Sequence, residues 1–269
     1  MLVAVACFFA LSVPAASAAP GYHFDYEWGS WGNGNGQFKD PVANAIDPAG
    51  NVYVADFDND RIQKFTSEGT FITKWGGWGT GNGQFRGPNA IATDAAGNVY
   101  VTDNVDNRVQ KFTSDGTFLT KWGSSGSANG QFNAPSGVTI DPAGNVYVAD
   151  ASNDRIQKFN STGTYLSQWG SSGSANGQFG SPHGIATDPA GNVYVSDAYN
   201  DRIQKFTSDG AFITKWGSTG SGNGQFNAPV GITIDPGGNV YVVDAFNARI
   251  QKFTSDGAFI TKWGSFGSA

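Results

Sequence analysis

Cysteine is almost missing from this chain: one residue, Cys7, occurs among 269. A disulfide framework and thiol catalysis are therefore excluded from everything beyond the first residues. Histidine is nearly as scarce, with only His23 and His183. A serine triad or a three-ligand zinc site has too few residues to draw on. Glutamate is limited to Glu27 and Glu68. Charged residues make up 14% of the chain, and 16 Lys and Arg face 22 Asp and Glu, a net charge of -6. Phosphate-backbone affinity comes from basic side chains displacing counterions, so this sparse, scattered complement argues against nucleic acid. It argues equally against a basic patch for a membrane surface.

Long apolar runs are also lacking, apart from Leu2 to Pro14. That run is too short to cross a bilayer comfortably. It is followed by Ala16-Ser17-Ala18, the small-x-small pattern of a cleavage site, with only the free amine as its positive end. The expected organisation is a signal peptide over residues 1–19 and one folded domain over 24–264. The mature chain is then secreted, or held at the cell surface or in the periplasm, with no membrane insertion.

What the chain has in quantity is glycine, 38 residues, and aromatics, 14%. Both follow a repeat. Gly-Gln-Phe recurs at Gly36, Gly83, Gly130, Gly177 and Gly224, always 47 residues apart and without a slip. In the unit that opens at Gly83, Ala90 to Asp94 reads as a short strand, a, and Gly97-Asn98 supplies a turn. Val99-Tyr100-Val101, β-branched and aromatic, reads as strand b. Asp103 to Asn107 forms a loop, Arg108 to Phe112 strand c, Thr113 to Gly116 a hairpin turn, and Phe118 to Trp122 strand d. Four short strands per unit of this length imply an all-β propeller of four-stranded antiparallel blades. In Val52-Tyr53-Val54 both faces are apolar, as expected when each blade packs against a neighbour on either side.

The recurring pattern Pro-x-Gly-Ile…Asp-Pro-Ala-Gly-Asn-Val-Tyr-Val-x-Asp…Asn-Asp-Arg-Ile-Gln-Lys-Phe, as at Pro182 to Phe206, closely resembles the NHL repeat. The resemblance covers about Phe24 to Trp263. It implies a propeller, typically of six blades, of the kind that serves as a partner-binding module in ubiquitin-ligase-type proteins, as a sensor in bacterial kinases, and as a peptide-amidating lyase. This chain departs from that pattern in number. It has five a–b–c sets but six d-type strands, the first at Phe24 to Trp28. A five-bladed ring or arc with one redundant outer strand, and an incomplete six-bladed array, both remain open. No RING or kinase sequence accompanies the repeats, so ligase and kinase activity do not carry over.

Differences among the copies single out candidate residues. The a–b turns, such as Asp47 to Asn51, and the c–d turns vary little, whereas the b–c and d–a loops vary widely. Binding residues concentrate on loops held by a rigid scaffold, so the b–c/d–a face is the expected ligand surface. Its candidates are Phe57, Asp58, Trp78, Asn89, Ser136, His183, Tyr199 and Phe246. The ligand expected there is a protein or peptide. A multivalent carbohydrate-binding propeller and a metal-dependent lactonase or lyase are the alternatives. Binding is expected rather than catalysis, with no catalytic residue, metal ligand or cofactor assigned. His183 reads as a hydrogen-bonding residue rather than a base. The Asp and Arg that recur in every blade (Asp56 with Arg61 in the first) read as a lock between strands b and c. The Asp-Pro-Ala-Gly-Asn segments lack the alternating acids of a calcium loop and read as turns.

Overall fold

Each 47-residue unit forms one antiparallel sheet whose four strands lie in chain order. The computed structural model describes residues 27–267. The expected signal peptide, Cys7, His23 and the beginning of the Phe24–Trp28 strand lie outside the described residues. Strands a to d are Pro41–Ile46, Val52–Asp56, Arg61–Phe65 and Phe71–Gly76 in blade 1. In blade 2 they are Pro88–Thr93, Val99–Asp103, Arg108–Phe112 and Phe118–Trp122, and in blade 3 Pro135–Ile140, Val146–Asp150, Arg155–Phe159 and Tyr165–Trp169. Blade 4 comprises Pro182–Thr187, Val193–Asp197, Arg202–Phe206 and Phe212–Trp216; blade 5 comprises Pro229–Ile234, Val240–Asp244, Arg249–Phe253 and Phe259–Trp263. The chain is thus a five-bladed propeller, with the a strands of successive blades abutting. Glu27 and Trp28, the described end of the sixth d-type segment, carry no strand assignment.

The a strands stop one residue earlier than expected. In blade 1 the Asp47 carboxylate belongs to the turn: Oδ1 accepts the Ala49 and Asn51 amides, and Oδ2 accepts the Asn51 side chain and the Tyr53 hydroxyl. Both carboxylate oxygens are thus taken by donors of the turn and of strand b, so the segment reads as a turn and not a cation loop.

The core lies between blades. Tyr53, Ala55 and Ile62 of blade 1 pack with Ile91, Val99, Val101 and Phe112 of blade 2 in one fully enclosed cluster. Val52, Val54 and Phe65 face the other way, onto Trp28 and Phe38. The period-two alternation of a strand therefore supplies two apolar faces to two neighbours. A recurring seat joins the blades: the d-strand tryptophan lies over the c–d turn glycine of the next blade. A Cβ on Gly116, Gly163, Gly210 or Gly257 would meet Trp75, Trp122, Trp169 or Trp216 at 2.5–2.6 Å. Gly69, the seat in blade 1, is covered by Trp28. Trp28 therefore fills at blade 1 the seat that a d-strand tryptophan fills at each later blade.

Candidate functional site

One end of the propeller carries the a–b and c–d turns. Tyr53 joins them across a blade boundary by donating to the Asp47 carboxylate and to the Ser114 carbonyl of the next blade. The other end carries the b–c and d–a loops, tied together by backbone bonds such as Asp58 N–H to Lys39 O (3.1 Å) and Tyr199 N–H to Gly180 O (2.9 Å).

This second face is stiff for a reason visible in every repeat. In blade 1 the Arg61 Nε donates to Asp56 Oδ2 at 2.6 Å, and its two terminal nitrogens donate to the carbonyls of Asn33, Gly34 and Gln37. Asp56 also accepts the Lys39 amide and the Asn59 and Gln63 side chains. Both charges are buried, and both are fully hydrogen-bonded, which is the condition under which a buried ion pair holds a fold in one arrangement. The d–a loop it grips is folded back on itself by a short parallel bridge, Trp78 to Phe85 in the loop before blade 2. Arg108 clamps that loop through Thr80 O and Gln84 O.

On this stiff face, blades 1 and 2 form a shallow, open groove of about 360 Å³ lined by Phe57, Asp58, Asp60, Trp78, Arg86, Gly87 and Val105. Phe57 and Asp58 come from a one-turn 3-10 helix, Phe57–Asn59, in the b–c loop of blade 1. Trp78 stands on the clamped d–a loop and is 75% exposed, and Val105, from the b–c loop of blade 2, is 50% exposed. Trp78 and Val105 thus present apolar surface to solvent from loops that hydrogen bonds hold in place. The three later junctions do not repeat this combination. In place of Phe57, Trp78 and Val105, they have Asn104, Ser125 and Ser152, then Ala151, Ser172 and Tyr199, then Ala198, Thr219 and Phe246.

The groove is electrostatically lopsided. Arg86 donates from Nε to Asp106 Oδ1 at 2.6 Å, and Asp106 also pairs with Arg108, so the one cation in the lining is already neutralised. Asp60 adopts φ +52 and its Oδ1 accepts the Gly87 amide at 3.1 Å. Burial pushes the Asp60 carboxyl above the ordinary range, the Gly87 amide opposes this, and the charge of Asp58 adds to it. Asp40, beside the groove, is raised first by burial and then by Asp58. Among the described residues Asp40, Asp58 and Asp60 form no salt bridge, as the ion pairs involve other carboxylates.

The structure therefore brings three of the eight sequence candidates, Phe57, Asp58 and Trp78, into one groove. The remaining five sit elsewhere. Tyr199 (81% exposed) and Phe246 project from the b–c loops of blades 4 and 5. Asn89, Ser136 and His183 are the second residues of their a strands and serve contacts between blades. Asn89 Nδ2 donates to Ser136 O at 3.2 Å. Ser136 is only 3% exposed, and its hydroxyl donates to Pro182 O and His183 O, so its polarity is spent inside the fold. Burial lowers the His183 pKa, and a hydrogen bond with the Val230 backbone opposes the shift. Asp60, Arg86 and Val105 were not singled out from sequence. Val105 and Arg86 vary between copies, but they join the site only when residues of two consecutive blades are read together. Asp60 looks structural because Asn107, Asp154 and Asp201 repeat it. No group of three His, Cys, Asp or Glu among the described residues is placed to hold a metal ion.

A family model described as NHL repeat matches residues 38–65, 85–112, 132–159, 179–206 and 226–253. No curated protein matches the chain. Among solved structures, virginiamycin B lyase from Staphylococcus aureus superposes with a TM-score of 0.61 at 16% identity, over 83% of this chain and 69% of that one. A nidogen/laminin complex gives 0.62 at 22% identity, over 84% and 80%. A gluconolactonase from Xanthomonas campestris gives 0.63 at 16% identity, over 83% and 75%. These likenesses establish a shared propeller fold.

Proposed function

The chain belongs to the NHL-repeat family, and from that premise we propose that it is a binding propeller that captures a protein or peptide on its b–c/d–a face. The observation that carries this reading is Trp78, a large exposed indole on a loop that Arg108 holds still. Aromatic side chains set on rigid supports anchor partners at low entropic cost. Phe57 and Val105 complete an apolar floor for one or two partner side chains. A propeller that forms part of a nidogen/laminin complex has this architecture, which supports protein capture as a use of the fold.

Two other uses have less to build on. A multivalent carbohydrate receptor requires like grooves between all blades, and the lining changes at every junction. A metal-dependent lactonase or lyase chemistry would need a metal donor set, and no group of three His, Cys, Asp or Glu is assembled for one among the described residues. Export remains part of the proposal and rests on the apolar run Leu2 to Pro14 and the small residues that follow it.

The test is selection of a displayed random peptide library on the purified protein, repeated with Trp78→Ser. Enriched peptides that bind the native protein and fail on Trp78→Ser support the reading. Peptides that bind both proteins equally, or no enrichment at all, contradict it.

A further inference from the structure

We infer that the groove between blades 1 and 2 selects a basic peptide segment, seating a lysine or arginine beside an apolar residue. The inference rests on the peptide-binding reading above and assigns the chemistry of the partner. It follows from what surrounds the aromatic floor. Asp58 is exposed and lines the groove together with Asp60, and Asp40, whose carbonyl accepts the Phe57 amide at 3.3 Å, lies near enough to Asp58 to feel its charge, as Asp60 does. Nearby cations do not relieve this. Arg86 is engaged by Asp106, and the Lys39 ammonium lies 5.1 Å from the centre of the Trp31 ring.

A site in which Asp58 repels both Asp40 and Asp60 gains most from a partner cation at Asp58, because one ammonium or guanidinium there offsets both repulsions. The neighbouring Trp78 face favours the same occupant, since a cation over an indole is attracted to its quadrupole. Phe57 and Val105 add an apolar wall, which accounts for the hydrophobic neighbour in the ligand. An acidic segment is disfavoured by the same charges, and a neutral apolar segment would leave them uncompensated.

The repeat itself supplies a substitution that removes charge without disturbing the fold. Asn107, the counterpart of Asp60 in blade 2, accepts the Ala134 amide at 2.8 Å just as Asp60 accepts Gly87. Asp60→Asn therefore retains the acceptor for the Gly87 amide, and Asp58→Asn alters an exposed side chain. The experiment titrates the native protein and the Asp58→Asn/Asp60→Asn variant with two blocked peptides, acetyl-Ser-Leu-Lys-Leu-Ser-amide and the same peptide with norleucine for lysine. Binding is followed by Trp fluorescence and calorimetry at low and moderate salt. The expected result is at least about tenfold tighter binding of the lysine peptide by the native protein, a preference lost in the double variant and weakened by salt. Equal binding of both peptides overturns the charge inference while leaving the peptide groove intact. Binding of neither peptide to the native protein overturns the groove reading as well.

Discussion

Blade 3 contains a matched pair of glycines that isolates the contribution of the tryptophan seat. Gly144, in its a–b turn, has φ +83 and no atom within 4 Å of an added Cβ. Gly163, in its c–d turn, has φ +87, and an added Cβ would lie 2.6 Å from the Trp122 ring carbons. Replacing either by alanine forces an L-residue into left-handed backbone, at roughly 1–2 kcal/mol. Only Gly163→Ala must also displace the indole, which packs 5.8 Å from Phe159 and 6.3 Å from Tyr100, centre to centre. Overpacking of this kind adds about 1–3 kcal/mol. The expected losses in urea unfolding are therefore about 1–2 kcal/mol for Gly144→Ala and about 2–5 kcal/mol for Gly163→Ala. In a Trp122→Ala background the two glycine substitutions should become equivalent, because the seat is then empty. Equal losses in the native background would refute the claim that indole on glycine holds the blades together.

Further outcomes follow from the same contacts. Asp150→Ala strands the buried Arg155, whose Nε lies 2.7 Å from Asp150 Oδ2, and should cost about 3–5 kcal/mol in denaturant unfolding. Trp78→Ser should change stability by less than about 0.5 kcal/mol, since Ser125 and Ser172 occupy the same place in other blades and the indole is exposed. The Asp47, Asp94 and Asp235 carboxyls are desolvated by burial, yet bonds from Asn51, Asn98 and Asn239 and from the tyrosine two residues further on hold them below the ordinary range. A carboxyl depressed in the fold stabilises it above the unfolded pKa and loses that contribution as pH falls through the folded one. The melting temperature should therefore drop below about pH 4, and Asp47→Asn should make the drop shallower. If the N-terminal run is an export signal, Edman sequencing of the protein recovered from culture medium should begin at Ala19 or Pro20.

The architecture was legible because the evidence for it is periodic. Gly-Gln-Phe at constant spacing, Val-Tyr-Val, and the Asp and Arg of each blade describe contacts that every blade makes, so five copies state the same geometry five times. The lock between Asp56 and Arg61 could be read in advance for that reason. The site was legible only in part. Variation among copies pointed to the b–c/d–a face and to Phe57, Asp58 and Trp78, which share a groove there, but it gave Asn89, Ser136 and His183 the same weight. Those three vary because each junction solves its own packing and hydrogen-bonding problem, as the Ser136 hydroxyl does on the carbonyls of blade 4. Variation alone does not separate a residue tuned to a neighbouring blade from one presented to a partner. Burial does, and burial depends on contacts 47 residues apart that a single repeat does not display.

The proposed binding surface is tested most directly by nuclear magnetic resonance of the 15N-labelled protein during titration with the lysine peptide. The Trp78 indole resonance and the backbone amides of Gly87 and Val105 should shift together and saturate, while those of Gly144 and Gly191 at the opposite end stay in place. Shifts confined to that opposite end, or a Trp78 signal that does not move as peptide binds, would contradict the account.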